Sequence, residues 1–128
     1  MQSKMLINGQ LVNGEGASQP VLNPSLGTAL LHINEASSEQ VDAAAQAADA
    51  AFESWSQTAP KDRSLLLLRL ADAIEAQAET FAKLESDNCG KPYAAALGDE
   101  IPAIADVFRF FAGASRCLNG SAAGEYLP

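Results

Sequence analysis

Four consecutive residues, Cys89-Gly90-Lys91-Pro92, put a thiol, a glycine and an ammonium group within one turn of chain, with acids on both sides at Glu85, Asp87, Asp99 and Glu100. Three chemistries use such groups: attack by a thiolate, phosphate cradling by a glycine-lysine loop, and acid-base or cation work by carboxylates. A reactive thiolate needs a base, a cation or a helix N-terminus beside it. Periodicity instead places Cys89 at a helix C-terminus, where the dipole opposes an anion. The single histidine, His32, falls in the apolar run Leu30–Ile33 and reads as a half-buried structural imidazole. Cys117, near the apolar side of a predicted last helix, reads as a small hydrophobe.

The phosphate-loop pattern requires glycine five residues before its second glycine and Ser or Thr after its lysine; Glu85 and Pro92 hold those positions. Asn13-Gly14-Glu15-Gly16 has two glycines at dinucleotide-fold spacing, but Gln19 occupies the third position and no helix is predicted behind it. The four acids lie at predicted helix ends, where carboxylates serve as solvated or capping groups. No catalytic constellation follows from the residues themselves.

These residues must be positioned by a short β region followed by helices. Met5-Leu6-Ile7 and Gln10-Leu11-Val12 flank Asn8-Gly9, a two-residue hairpin signal. Asn13–Gly16 reads as a further turn, Val21–Pro24 as an extended piece ended by proline, and Leu30–Ile33 as a strand. Ser37 with Gln40 matches a capping box for a helix over 38–56, whose apolar positions include Val41, Ala44, Ala48, Phe52 and Trp55. A second helix starts near Pro60 and carries Leu66, Leu67, Leu70, Ala71, Ile74, Ala78 and Phe81 as one stripe as far as the stop at Gly90 and Pro92. A last helix over 99–119 takes Pro102 in its first turn and presents Ile101, Ile104, Ala105, Phe108, Phe111, Ala112 and Leu118. The order predicts an α+β class: strands over 1–36, about four helices over 37–120, and the start of an unpaired strand at 121–128.

A length of 128 residues fits a single cooperative unit, and 48% hydrophobic residues suffice for a core. A net charge of -8 with scattered Lys and Arg argues against nucleic acid and anionic lipid as partners. The densest apolar run, Leu65–Leu68, is far shorter than the roughly 20 residues of a membrane helix. Two cysteines without ligand or pairing spacing, and a first segment without a signal-peptide core, point to the cytoplasm.

Four stretches, "LINGQLVNGEG", "VLNPSLGTALLHINEASSEQVDAAAQAADAAFESW", "KDRSLLLLRLADAIEAQAETFAKLESDNCGKP" and "EIPAIADVFRFFAGASRCLNG", resemble the N-terminal quarter of the aldehyde dehydrogenase superfamily. Within it, "NCGKP" and "DEIPAIADVFRFFAGASRCLNG" are most similar to bacterial 4-aminobutyraldehyde dehydrogenases, neighbours of the betaine-aldehyde enzymes. The resemblance implies an incomplete NAD-binding domain from an enzyme that oxidises an aldehyde, such as an aminoaldehyde, to its acid. In that family a cysteine thiolate attacks the carbonyl, hydride passes to NAD, and a glutamate activates the water that hydrolyses the thioester.

The family's nucleophile stands in a Gly-Gln-x-Cys context, which neither Cys89 nor Cys117 has, so the resemblance assigns this chain no catalytic and no cofactor-binding residue. The 128-residue chain is therefore expected to be inactive alone and to need no NAD, with the remainder of the enzyme as its partner and a homo-oligomer as the full-length state. Some members hold a monovalent cation on a backbone carbonyl just before the Asn-Pro turn and an acid two residues before Gly-Lys-Pro, which here are Leu22 and Asn88. The rival expectation is a self-sufficient α+β interaction module without chemistry, which would leave no apolar face exposed.

Overall fold

Asn8 and Gly9 both adopt positive φ, 49° and 74°, in the computed structural model, which describes residues 2–118. That pair of left-handed residues makes the tight turn whose twist matches two antiparallel strands. Strands β1 (Met5–Ile7) and β2 (Gln10–Val12) pair around it, with Ile7 opposite Gln10. A second, separate hairpin joins β3 (Ser18–Leu22) to β4 (Ala29–Asn34). Pro20 sits inside β3 opposite His32, where a two-stranded sheet leaves its missing N–H on an open edge. The ladder slips between Val21, opposite Leu31, and Leu22, opposite Ala29, so the strand bulges just before the turn.

Helix α1 (Ser38–Ser56) begins with the reciprocal cap that its sequence predicts. The Ser37 N–H donates to Gln40 Oε1 at 3.1 Å, and the Gln40 N–H donates to Ser37 Oγ at 3.2 Å. Gln40 also reaches backward: its Oε1 accepts the Glu15 N–H at 3.0 Å and its Nε2 donates to the Asn13 carbonyl at 2.8 Å. One amide thus fastens the turn after β2 to the start of α1. Gly14 lies in the same place because nothing larger fits, since a Cβ there would stand 2.2 Å from the Asn34 carbonyl oxygen.

Helix α2 (Pro60–Ala76) opens with proline in its first turn, and α3 (Ala78–Cys89) follows after Gln77. The sequence predicts one helix here, and the structure breaks it. Gln77 leaves the helical region at φ −116°, ψ 21°, and its N–H turns to the Ile74 carbonyl three residues back. The break lets Ile74 and Ala78 pack from either side of the bend onto one small cluster of Ala82, Ala96 and Ile101. An apolar stripe that is continuous through the bend conceals it from periodicity.

The last helical region also departs from the expected 99–119. A short α4 (Tyr93–Ala95) runs into a π-helical segment, Ala96–Glu100, and only then into α5 (Ile101–Ala114). Pro102 is the reason the wider turn is needed at its start, because its ring excludes the carbonyl four residues earlier from an ordinary helical bond. Cys117 lies beyond α5 and is exposed, so it is not a core residue. The expected helix end at 119–120 and the expected strand at 121–128 lie outside the described residues.

The described residues divide into two compact units, one of 2–56 with Asp87–Gly90, the other of Gln57–Ser86 with 91–118. In the second, α2 packs against α5. The buried apolar residues of the described chain are small: Ala59, Ala71, Ala82, Ala96, Ala105 and Ala112, with Ile101 the one large member. No large side chain is fully buried among the described residues. Architecture and order agree with the predicted α+β class.

Candidate functional site

Asn23 organises the turn that the sequence marks as Asn-Pro-Ser-Leu-Gly. Its Oδ1 accepts the N–H groups of Ser25 (2.9 Å) and Leu26 (3.1 Å), and its carbonyl accepts that of Gly27 at 2.8 Å. Its own N–H donates to Thr28 at 2.9 Å, so the residue is buried and its backbone groups and Oδ1 are all bonded. Gly27 takes φ 68° to close the loop. The end of α3 meets this turn: Gly90 adopts φ 74°, the left-handed cap that the sequence predicts, and a Cβ on it would lie 3.0 Å from Pro24 Cγ and 3.7 Å from Ser25 Oγ.

That juncture explains the Cys89-Gly90-Lys91-Pro92 stretch. Gly90 ends the helix, and Pro92 begins the next short one as its N-cap. Cys89 is exposed, with Asn88 Nδ2 at 3.7 Å from its sulfur. Lys91 turns instead to Glu100, with Nζ 2.5 Å from Oε2 across the π-helical segment. His32 is exposed on β4 rather than half-buried, since its outward position in the two-stranded hairpin has no cover. The thiol, ammonium and imidazole therefore serve separate local structures.

Leu22 closes β3 immediately before Asn23, and Asn88 is an exposed residue of the last turn of α3. An asparagine whose amide nitrogen faces a thiol keeps Oδ1 as its acceptor atom. A carbonyl and an amide oxygen are hard, neutral ligands that suit a weakly charged cation and lack the carboxylates a divalent ion draws on. Among the described residues, no group of three or more His, Cys, Asp or Glu side chains is placed to hold a metal.

A groove of about 670 Å³ opens between the first hairpin and α1, lined by Ile7, Val12 and Ala43 with Asn8, Glu15 and Glu39. Glu39 holds its carboxyl below the usual value through its own backbone N–H, with the Ser37 and Ser38 hydroxyls adding to it. This is the signature of a helix N-terminus. Gly14 and Gly16 lead into β3 and not into a helix, so they build no pyrophosphate cradle. The described residues thus do not fit a dinucleotide at that position.

In the second unit the arrangement that sequence reading missed is an ionic fork. Arg109 of α5 bonds Glu75 and Asp72 of α2, 34 and 37 residues away in the chain. Only the proximity of α2 and α5 creates it, so no local motif announces it. No helix among the described residues is long and apolar enough to cross a membrane.

The model of the "Aldehyde dehydrogenase family" matches residues 11–126. "Aldehyde dehydrogenase family 2 member B4, mitochondrial" of Arabidopsis thaliana is 37% identical over 121 residues, which is 92% of this chain and 22% of the relative. The crystal structure of PnpE in complex with nicotinamide adenine dinucleotide is 36% identical and superposes with a TM-score of 0.90, over 98% of this chain and 26% of that one. A putative aldehyde dehydrogenase from Burkholderia cenocepacia is 39% identical with the same TM-score, over 98% and 26%. The chain thus spans about a quarter of the length of these relatives. With nearly its whole length in register with the family model, this chain belongs to the aldehyde dehydrogenase family.

Proposed function

We propose that the chain is the N-terminal segment of an NAD-dependent aldehyde dehydrogenase, and that its own task is structural. The observation that carries this reading is the superposition of 98% of the chain on 26% of an NAD-bound relative at a TM-score of 0.90. In the whole enzyme a thiolate adds to the aldehyde carbonyl, hydride leaves the same carbon, and water hydrolyses the thioester to the acid. NAD, when bound there, accepts the hydride. The residues of this chain position that machinery and do not perform it. Its cysteines lack the family's nucleophile context, and its paired glycines precede a strand.

The proposed substrate class is an aminoaldehyde such as 4-aminobutyraldehyde, on the similarity of "NCGKP" and "DEIPAIADVFRFFAGASRCLNG" to that branch. The proposed assembly is a cytoplasmic homo-oligomer of the full-length enzyme. We assign Leu22 and Asn88 to a monovalent cation site that would brace the Asn-Pro turn against the end of α3. The interaction-module reading expects covered apolar faces, and Phe110, Val107 and Phe111 are 68%, 52% and 55% exposed. That observation favours the segment over the self-sufficient module.

The test is NADH formation. The isolated chain should produce none with 4-aminobutyraldehyde. A chimera in which the chain replaces the matching quarter of the Burkholderia cenocepacia relative should fold, bind NAD and reduce it. Turnover by the isolated chain, or a chimera that neither folds nor binds NAD, overturns the reading.

A further inference from the structure

The dipeptide Asn-Gly stands twice in the first unit, at Asn8-Gly9 and Asn13-Gly14, and the fold treats the two pairs in opposite ways. Asn8 and Gly9 are both exposed at the tip of a hairpin whose strands are three residues long, and a Cβ on Gly9 would meet nothing within 4 Å. Such a short two-stranded ribbon opens locally at little cost. The second pair is clamped. The Asn13 carbonyl accepts Gln40 Nε2 at 2.8 Å, the Gly14 carbonyl accepts Asn34 Nδ2 at 3.2 Å, and Gly14 is buried with no room for a side chain.

We propose that Asn8 is a site of spontaneous deamidation and that the fold holds Asn13 out of the same reaction. The Gly9 backbone nitrogen loses its proton and bonds to Asn8 Cγ; the Cγ–Nδ2 bond breaks, and ammonia leaves with the proton. The five-membered imide then takes up one water at either carbonyl. Opening at Cγ gives aspartate, and opening at the backbone carbonyl gives isoaspartate, whose main chain runs through the former side chain. Attack requires the peptide plane after the asparagine to rotate, and a following glycine has no Cβ to hinder it. At Asn13 that rotation breaks the bond to Gln40 and drives Gly14 against Asn34. Asn23 precedes Pro24, whose nitrogen has no proton to lose, and Asn34 and Asn88 precede the side chains of Glu35 and Cys89.

The two products differ in effect. Aspartate suits the left-handed turn as asparagine does, and it adds one unit to the net charge of -8 beside Glu15 and Glu39 in the groove against α1. Isoaspartate inserts a carbon between residues 8 and 9, which a two-residue turn with Ile7 opposite Gln10 cannot absorb in register. The groove wall thus gains a charge or loses its hairpin as the molecule ages.

The test incubates the 128-residue chain in mildly alkaline buffer, with and without urea, and follows the gain of one mass unit at each asparagine by fragmentation of its peptides. In buffer Asn8 should convert about tenfold or more faster than Asn13, the scale on which local structure protects a backbone. In urea the two rates should converge. Gln40→Leu removes the clamp on the Asn13 carbonyl and should speed Asn13 while leaving Asn8 unchanged. A purified protein-isoaspartate methyltransferase, with S-adenosylmethionine as methyl donor, should label the aged chain at residue 8. Asn13 converting as fast as Asn8 in buffer, or Asn8 converting only in urea, overturns the proposal. Aspartate at residue 8 without isoaspartate overturns the imide step.

Discussion

Arg109 grips Glu75 through two parallel hydrogen bonds, Nη1 to Oε1 at 2.7 Å and Nη2 to Oε2 at 2.6 Å, joining α5 to α2. Nη2 also reaches Asp72 Oδ1 at 2.9 Å, which makes the guanidinium the centre of a three-residue network on a partly exposed seam.

The Arg109 hydrogen bond lowers the Glu75 pKa from its usual 4.5. A carboxyl whose folded pKa is depressed stabilises the fold above its unfolded value and loses that contribution as pH falls through the folded one. Arg109→Met should therefore lower the melting temperature by a few degrees at pH 7 and by progressively less from about pH 5 downward. Thermal melts of both proteins across pH 3 to 7 check this; a gap that stays constant or widens in acid refutes it.

Gly90→Ala should cost about 1–2 kcal/mol, because alanine pays for the left-handed φ and its methyl presses on Pro24. Gly98→Ala meets nothing within 4 Å and should be neutral or stabilising by up to about 1 kcal/mol. Urea unfolding of the two variants side by side separates backbone strain from a general intolerance of alanine.

Gln40→Leu removes the acceptor of two backbone N–H groups and the donor to the Asn13 carbonyl. A loss of about 1–2 kcal/mol is expected, with faster amide exchange at Glu15 and Ser37 and little change in α5. Exchange that rises equally along the chain would show that Gln40 acts on global stability alone.

Asn88→Asp adds a charge to the proposed cation site at the end of α3. Potassium chloride should then raise the melting temperature of the variant more than that of the parent chain, at matched ionic strength with tetramethylammonium chloride as the control. Equal responses to the two salts would remove Leu22 and Asn88 from consideration as ligands.

Local signals were legible wherever the chain answers to its immediate neighbours. Asn8-Gly9 made its hairpin, Ser37 and Gln40 made their reciprocal cap, and Gly90 ended its helix with the left-handed φ expected of it. What escaped was set by distant partners. The bend at Gln77 exists because Ile74 and Ala78 converge on Ala82, Ala96 and Ile101, and the π-helical turn because Pro102 displaces a bond. Burial was misjudged for the same reason: a stripe such as Leu66, Leu70 and Phe111 is apolar by type, and only the fold reveals that alanines take the interior. Of the candidate site, the Asn-Pro turn and the helix stop could be read from residues, whereas the closeness of Gly90 to Pro24 required coordinates.

The alanine-rich contact surfaces carry one further consequence. Helices that meet through methyl groups approach closely, so their attraction comes from many short dispersion contacts and little hydrocarbon is withdrawn from water. Heat-capacity change on unfolding follows the apolar area newly hydrated, and here much of that area is wet in the folded chain already. Calorimetry of the isolated chain should trace a flat stability curve with a weak, broad transition, and the missing heat capacity should return when the outer faces of α2 and α5 are covered.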